Sequence, residues 1–172
     1  MSDANRKSVR LPQFLYRGAS YFVTICAFQQ RCTFGQVEGE ATILSALGRI
    51  VDEEWKRTPL VRPGVQLDEW IVMPNHVHGI VYIPDVKRDF VAPRGFVRPR
   101  KSLASLIAGY KSGVTHRAKV ELSWTPPVWQ RNYFEHIIRG EADLERARRY
   151  IFENPVKWGA RCAPLPIVSA GG

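Results

Sequence analysis

Acidic residues are scarce in this 172-residue chain: 16 Asp and Glu stand against 25 Lys and Arg, leaving a formal charge of +9 and a sequence pI near 9.8. Such an excess suits a polyanionic partner, most often nucleic acid; a basic surface that is merely solvated has the same composition. Cysteine is nearly absent. Cys26, Cys32 and Cys162 form no CxxC pair and no zinc-finger spacing with the histidines, and an odd count argues against a disulfide framework. A reducing, cytoplasmic setting is therefore expected. The N-terminus through Arg10 has no apolar core of the signal-peptide kind, and no apolar run approaches the length of a membrane span, so no membrane partner is expected.

What the chain does have is enough hydrophobic residues, 45%, and aromatics, 11%, to build one packed domain. We divide it into a basic N-terminal arm over 1–13, a folded domain over 14–159 and a Pro-, Ala- and Gly-rich tail over 160–172. Ser20 to Phe28 is apolar on both sides and reads as a central strand. Apolar residues at helical spacing (Ile43, Leu44, Leu47, Ile50, Val51, Trp55) predict a helix over 41–56, closed by Pro59 and by Pro63-Gly64. Val65 to Met73 and the stretch from His76 to Ile83 read as a hairpin cornered at Pro74-Asn75. A basic loop over 85–101, with Arg98, Arg100 and Lys101 at its end, leads to a helix capped by Ser102. A fourth strand over 128–138 and a final helix over 141–153, stopped by Pro155, complete the order. The pattern β-α-β-β-α-β plus one helix predicts an α+β, ferredoxin-like antiparallel sheet with an additional C-terminal helix. In that topology the first and third strands are the inner pair, and the last helix shares the second sheet face with any ligand.

The stretch Met73-Pro74-Asn75-His76-Val77-His78 concentrates the chemistry. On a strand the two imidazoles stand on one face while Val77 points away, a geometry able to grip one metal ion. Two histidines need a third protein ligand. Tyr150 and Asn154 lie four residues apart on one face of the last helix, so an amide oxygen and a phenol could approach the same ion. Together these suggest a metal-activated phosphodiester and a tyrosine nucleophile. Each also has an ordinary reading: hydrogen-bonded structural histidines, a packing tyrosine, an asparagine ending a helix before Pro155. Tyr133 is a competing nucleophile. Lys111, Gln130 and Arg131 are candidate DNA contacts, as are Arg98, Arg100 and Lys101; His116 and His136 are either DNA contacts or surface histidines.

These residues resemble a known family. His76-Val77-His78 after Met73-Pro74-Asn75 is similar to the HUH motif of the single-tyrosine transposases. The blocks Tyr21 to Ile25, Ser102 to Ser112, Val128 to His136 and Tyr150 to Gly159 resemble the family's other segments, in order, across about 11–159. The form Tyr-Ile-x-x-Asn-Pro-Val looks most like the REP-associated tyrosine transposases, since insertion-sequence relatives usually carry Gln where this chain has Asn154. The resemblance implies Mg²⁺ or Mn²⁺ on His76, His78 and Asn154, with Tyr150 as nucleophile. It implies single-stranded, hairpin-forming DNA as substrate and a bacterial, nucleoid-associated location. Two assemblies stay open, a monomer and a homodimer with sites built in trans. A non-catalytic single-strand nucleic-acid-binding module of the same fold, and a nuclease that uses water, are the rival readings.

Overall fold

The computed structural model describes residues 18–84 and 102–158. The arm, the basic loop with Arg98, Arg100 and Lys101, and the tail lie outside the described residues. Strand β1 (Gly18–Cys26) is rich in β-branched and aromatic residues, and buries Val23 and Ile25 completely. The hairpin β4 (Gln66–Met73) and β5 (His76–Pro84) follows helix α1 (Ala46–Val61), and β6 (Phe134–Ile137) follows helix α2 (Leu103–Leu122). The main sheet runs β4-β5-β1-β6 with every neighbour antiparallel. β1 and β5 are thus the inner pair, as the ferredoxin-like pattern requires.

One face of this sheet is sealed by α1 and α2. Val23, Ile25, Val77 and Val81 of the inner strands pack with Leu47, Val51 and Trp55 of α1 and with Leu106, Ile107 and Val114 of α2. Gly79 makes the fit possible, since a Cβ there would lie 2.5 Å from the Trp55 ring. The Tyr110 hydroxyl, buried between the helices, donates to the Val51 carbonyl at 3.0 Å. Helix α3 (Glu141–Trp158) meets the other side of the hairpin. Its position is locked by Arg148, whose guanidinium grips the buried Asp68 of β4 with bonds of 2.9 and 2.7 Å.

Four expectations are corrected. The segment predicted as the start of the first helix is instead a small hairpin, β2 (Gly35–Glu38) with β3 (Ala41–Leu44). The helix begins after Ser45, which is extended and accepts from the Gly48 amide at 3.0 Å, an N-cap that overrides the apolar spacing. Pro59 and Pro155 sit inside their helices, which run on to Val61 and Trp158. Each removes one helical hydrogen bond and crowds the carbonyl four residues back, and in α3 the last turn is held by burial of Asn154, Pro155 and Trp158. The fourth strand is only four residues long, because Lys111 draws the carbonyls of Gln130, Arg131 and Asn132 away from the ladder. Cys32 is disulfide-bonded, so the odd cysteine count did not exclude a bridge; Cys26 is free. The Ser102 cap is found as expected, accepting from the Ser105 amide at 3.2 Å.

Candidate active site

Register alone assembles half of the site. β1 and β5 pair Thr24 with His78 and Cys26 with His76, while β1 and β6 pair Phe22 with His136 and Thr24 with Phe134. Directly opposed residues share a face, so these side chains lie together, opposite the face that carries Val23, Ile25 and Val77. The two imidazoles converge, with Nε2 of His76 2.9 Å from Nε2 of His78.

Their outer nitrogens are held. Asn75 donates from Nδ2 to the Gln30 carbonyl at 3.1 Å, which turns its Oδ1 to His76 Nδ1 at 2.6 Å. That oxygen can only accept, so the network assigns the His76 proton to Nδ1 and leaves Nε2 a bare lone pair. His78 Nδ1 lies 2.9 Å from the Thr24 hydroxyl. A hydroxyl can donate or accept, so His78 can either donate from Nε2 to His76 or offer a second lone pair beside it. Burial lowers the His76 pKa to about 4; burial, with the neighbouring His76, lowers that of His78 to about 3. Both rings are neutral at pH 7, the form in which imidazole binds metal.

Helix α3 roofs the pair. The Tyr150 ring stands edge-on to His78 at 5.1 Å between centroids and to Phe22 at 5.8 Å. Two turns further on, the Trp158 ring lies 5.4 Å from His76. Asn154 is midway between Tyr150 and Trp158 on the same helical face, and is therefore above the histidine pair. It is largely buried, at 8% exposure. Among the described residues no cluster of three or more His, Cys, Asp or Glu could hold a metal. Two imidazoles and one amide oxygen form a fitting set for a divalent ion that keeps open positions.

The other candidates separate clearly. Tyr133 packs against the main core, and burial raises its pKa. Lys111 spends its ammonium on the carbonyls of Gln130, Arg131 and Asn132 at 2.8, 3.4 and 3.1 Å. Gln130 and Arg131 are exposed and border a shallow depression with His116 and Lys119 on the α2 side. They are not gathered with the histidine pair; the link is the Gln130 amide, which donates to the carbonyl of Cys26 at 2.9 Å. His136 faces the same side as His78 and lies 2.9 Å from Asp143 on α3. A bond from the Arg139 amide, then His136, pushes the Asp143 carboxyl down to about 2. The sequence reading missed Thr24, Asn75 and Trp158. The side-chain period of two gave a signal for Thr24, but only the register puts it against His78.

No family model matches the chain. An uncharacterized protein of Haemophilus influenzae is 38% identical over 163 residues, covering 90% of both chains. A REP-associated tyrosine transposase of Escherichia coli is 30% identical over 94 residues, which is 55% of this chain and 46% of that one. A putative protein of the same kind from H. influenzae is 27% identical over 88 residues, or 48% of its length. The alignments thus span about half of these two named relatives. The solved structure of a REP-associated tyrosine transposase bound to a REP hairpin superposes with a TM-score of 0.58 at 22% identity, over 87% of this chain and 73% of that one.

Proposed function

We propose that the chain belongs with the REP-associated tyrosine transposases, two of which align with it over about half of their length, and that it cleaves and rejoins single-stranded DNA through Tyr150. The observation that carries this reading is the stack of α3 on the sheet, which sets the Tyr150 ring against His78 and the Trp158 ring against His76, with Asn154 one helical turn from each. His76, His78 and Asn154 would hold Mg²⁺ or Mn²⁺. A bound ion would supply Lewis-acid polarisation of the scissile phosphate.

The protein's own residues do the rest. Tyr150 Oη attacks the phosphorus as its phenolic proton leaves; the bond from phosphorus to the 3′ oxygen breaks, and that oxygen takes up a proton. The product is a 5′-phosphotyrosine and a free 3′-OH. The new ester conserves the phosphodiester energy, so another 3′-OH can displace Tyr150 and join strands without ATP. Thr24 and Asn75 hold the imidazoles in ligand orientation, as outer partners of metal-binding histidines do. Tyr150, half exposed, is open to a strand running along the groove beside α3. The excess of Lys and Arg holds the DNA backbone, with Gln130 and Arg131 contributing at the rim. The relative bound to a REP hairpin supports hairpin-forming DNA as the substrate class. No helix among the described residues is long and apolar enough to cross a membrane; a cytoplasmic, nucleoid-associated location is what the proposed DNA substrate calls for.

The test is a labelled single-stranded hairpin incubated with the protein and Mn²⁺ and run on a denaturing gel. A protein–DNA adduct that disappears in Tyr150→Phe is expected. Cleavage without an adduct would assign a water nuclease, and binding without cleavage a non-catalytic module. An adduct retained in Tyr150→Phe and lost in Tyr133→Phe would move the nucleophile to Tyr133.

A further inference from the structure

Beside the histidine pair, between β1, β6 and α3, runs an open groove of about 630 Å³ lined by Phe22, His78, Phe134, His136, Arg146 and Tyr150. The volume suits a small organic group rather than an ion. Its aromatic members are not equivalent. Phe22 is stacked on His78 at 5.3 Å and meets the edge of Tyr150, so its ring is engaged. Phe134 is 61% exposed and makes no ring contact among the described residues. It sits on the edge strand, paired with Thr24, and so faces the same side as His78. A phenyl group this exposed on an edge strand contributes little packing to the fold.

Across the groove, Arg146 precedes Tyr150 by four residues on α3 and is the exposed cation nearest along that helical face. Its guanidinium is 71% exposed and is steadied by one bond of 3.2 Å to Asp143, whose other oxygen lies 2.9 Å from His136. An aromatic plane on one wall and a steadied guanidinium on the other match the two halves of a nucleotide, a flat base and its phosphate.

We propose that this groove is a subsite for one unpaired nucleotide of the DNA strand, with the base stacked on Phe134 and its phosphate facing Arg146. The inference rests on the reading of this sheet face as a single-strand DNA surface, and adds where one base is held. Stacking is tolerant of base identity, so the subsite recognises that a base is unpaired and not which base it is.

Binding is measured without divalent metal, so the outcome does not depend on cleavage. The probes are a short oligothymidylate and an abasic deoxyribose-phosphate oligomer of the same length and charge. The full chain is expected to bind the oligothymidylate about tenfold more tightly, the stacking contribution of one base. Phe134→Ala should erase that preference and leave the affinity for the abasic oligomer unchanged. Phe134→Trp should restore it. Arg146→Gln should weaken both probes by the same factor. Equal binding of both probes by the unmodified chain overturns the proposal, as does a Phe134→Ala variant that loses affinity for both alike. If the base preference appears but no Tyr150 adduct forms with Mn²⁺, the subsite stands and the strand-transfer reading falls.

Discussion

The two faces of the sheet are made from alternate residues of the same two strands, and they obey different rules. On one, Val23, Ile25, Val77 and Val81 meet the largely apolar inner faces of α1 and α2. On the other, Thr24, His76 and His78 are linked to one another by hydrogen bonds and meet α3 through ring contacts. The first face is generic: any apolar set of the right volume would fill it. The second is specific, since each outer nitrogen has one partner and each α3 side chain one position. The first stabilises the platform on which the second is held, and a rigid platform is what a metal site needs.

Mutations that spare one face and damage the other test this division. The largest effect is expected from Tyr150→Phe, which should abolish the covalent adduct while moving stability by no more than about 0.5 kcal/mol, as exposed positions do; gel and urea titration report the two. A large loss of stability would show that Tyr150 is a packing residue after all. The converse is Ile25→Ala, expected to cost about 2–5 kcal/mol in urea unfolding with Mn²⁺ affinity retained by the folded fraction. Thr24→Val keeps shape and removes the hydroxyl; calorimetry should show Mn²⁺ binding weakened about 10–100-fold, the usual cost of losing an outer partner of a ligand. Unchanged affinity would confine Thr24 to a structural role.

A further test is the pH dependence of stability. In the folded chain His76 and His78 stay neutral down to about 4 and about 3, whereas an unfolded histidine takes up a proton near 6.5. Between those values the unfolded state binds more protons, so metal-free stability should rise with pH across that window and be lost as pH falls through it. Above about pH 7 the pair contributes no slope. Urea midpoints measured between pH 4.5 and 7 should fall less steeply in a His76→Gln, His78→Gln double variant. An identical slope would locate the acid sensitivity elsewhere.

How much of this could be read from residues alone follows the range of the interactions. The strand order, the inner pair, the Ser102 cap and the common face of Tyr150 and Asn154 follow from local periodicity, and all are found. The small hairpin before α1 was hidden because Ile43 and Leu44 continue the helical spacing of Leu47 and Ile50; only the Ser45 cap breaks the tie. The shortening of β6 depends on Lys111, 19 to 21 residues away in sequence, which no local pattern reports. Within the site, His76, His78, Tyr150 and Asn154 were legible as types at spacings. Thr24, Asn75 and Trp158 became visible only through register and helix docking, which are tertiary facts.

One consequence of the way α3 lies on β5 concerns insertions and deletions. Eight residues of helix advance about 12 Å, and two residues of strand about 6.6 Å, so Tyr150 and Trp158 reach His78 and His76 from the two ends of the pair, with Asn154 between them. The Arg148–Asp68 grip sets the zero of both scales. A single residue added to α3 between Arg148 and Tyr150 would turn the three side chains by about 100° and move them together off the histidines. Point substitutions here subtract one function at a time, but a one-residue length change in this stretch erases the site at a stroke while leaving the apolar face of the sheet untouched.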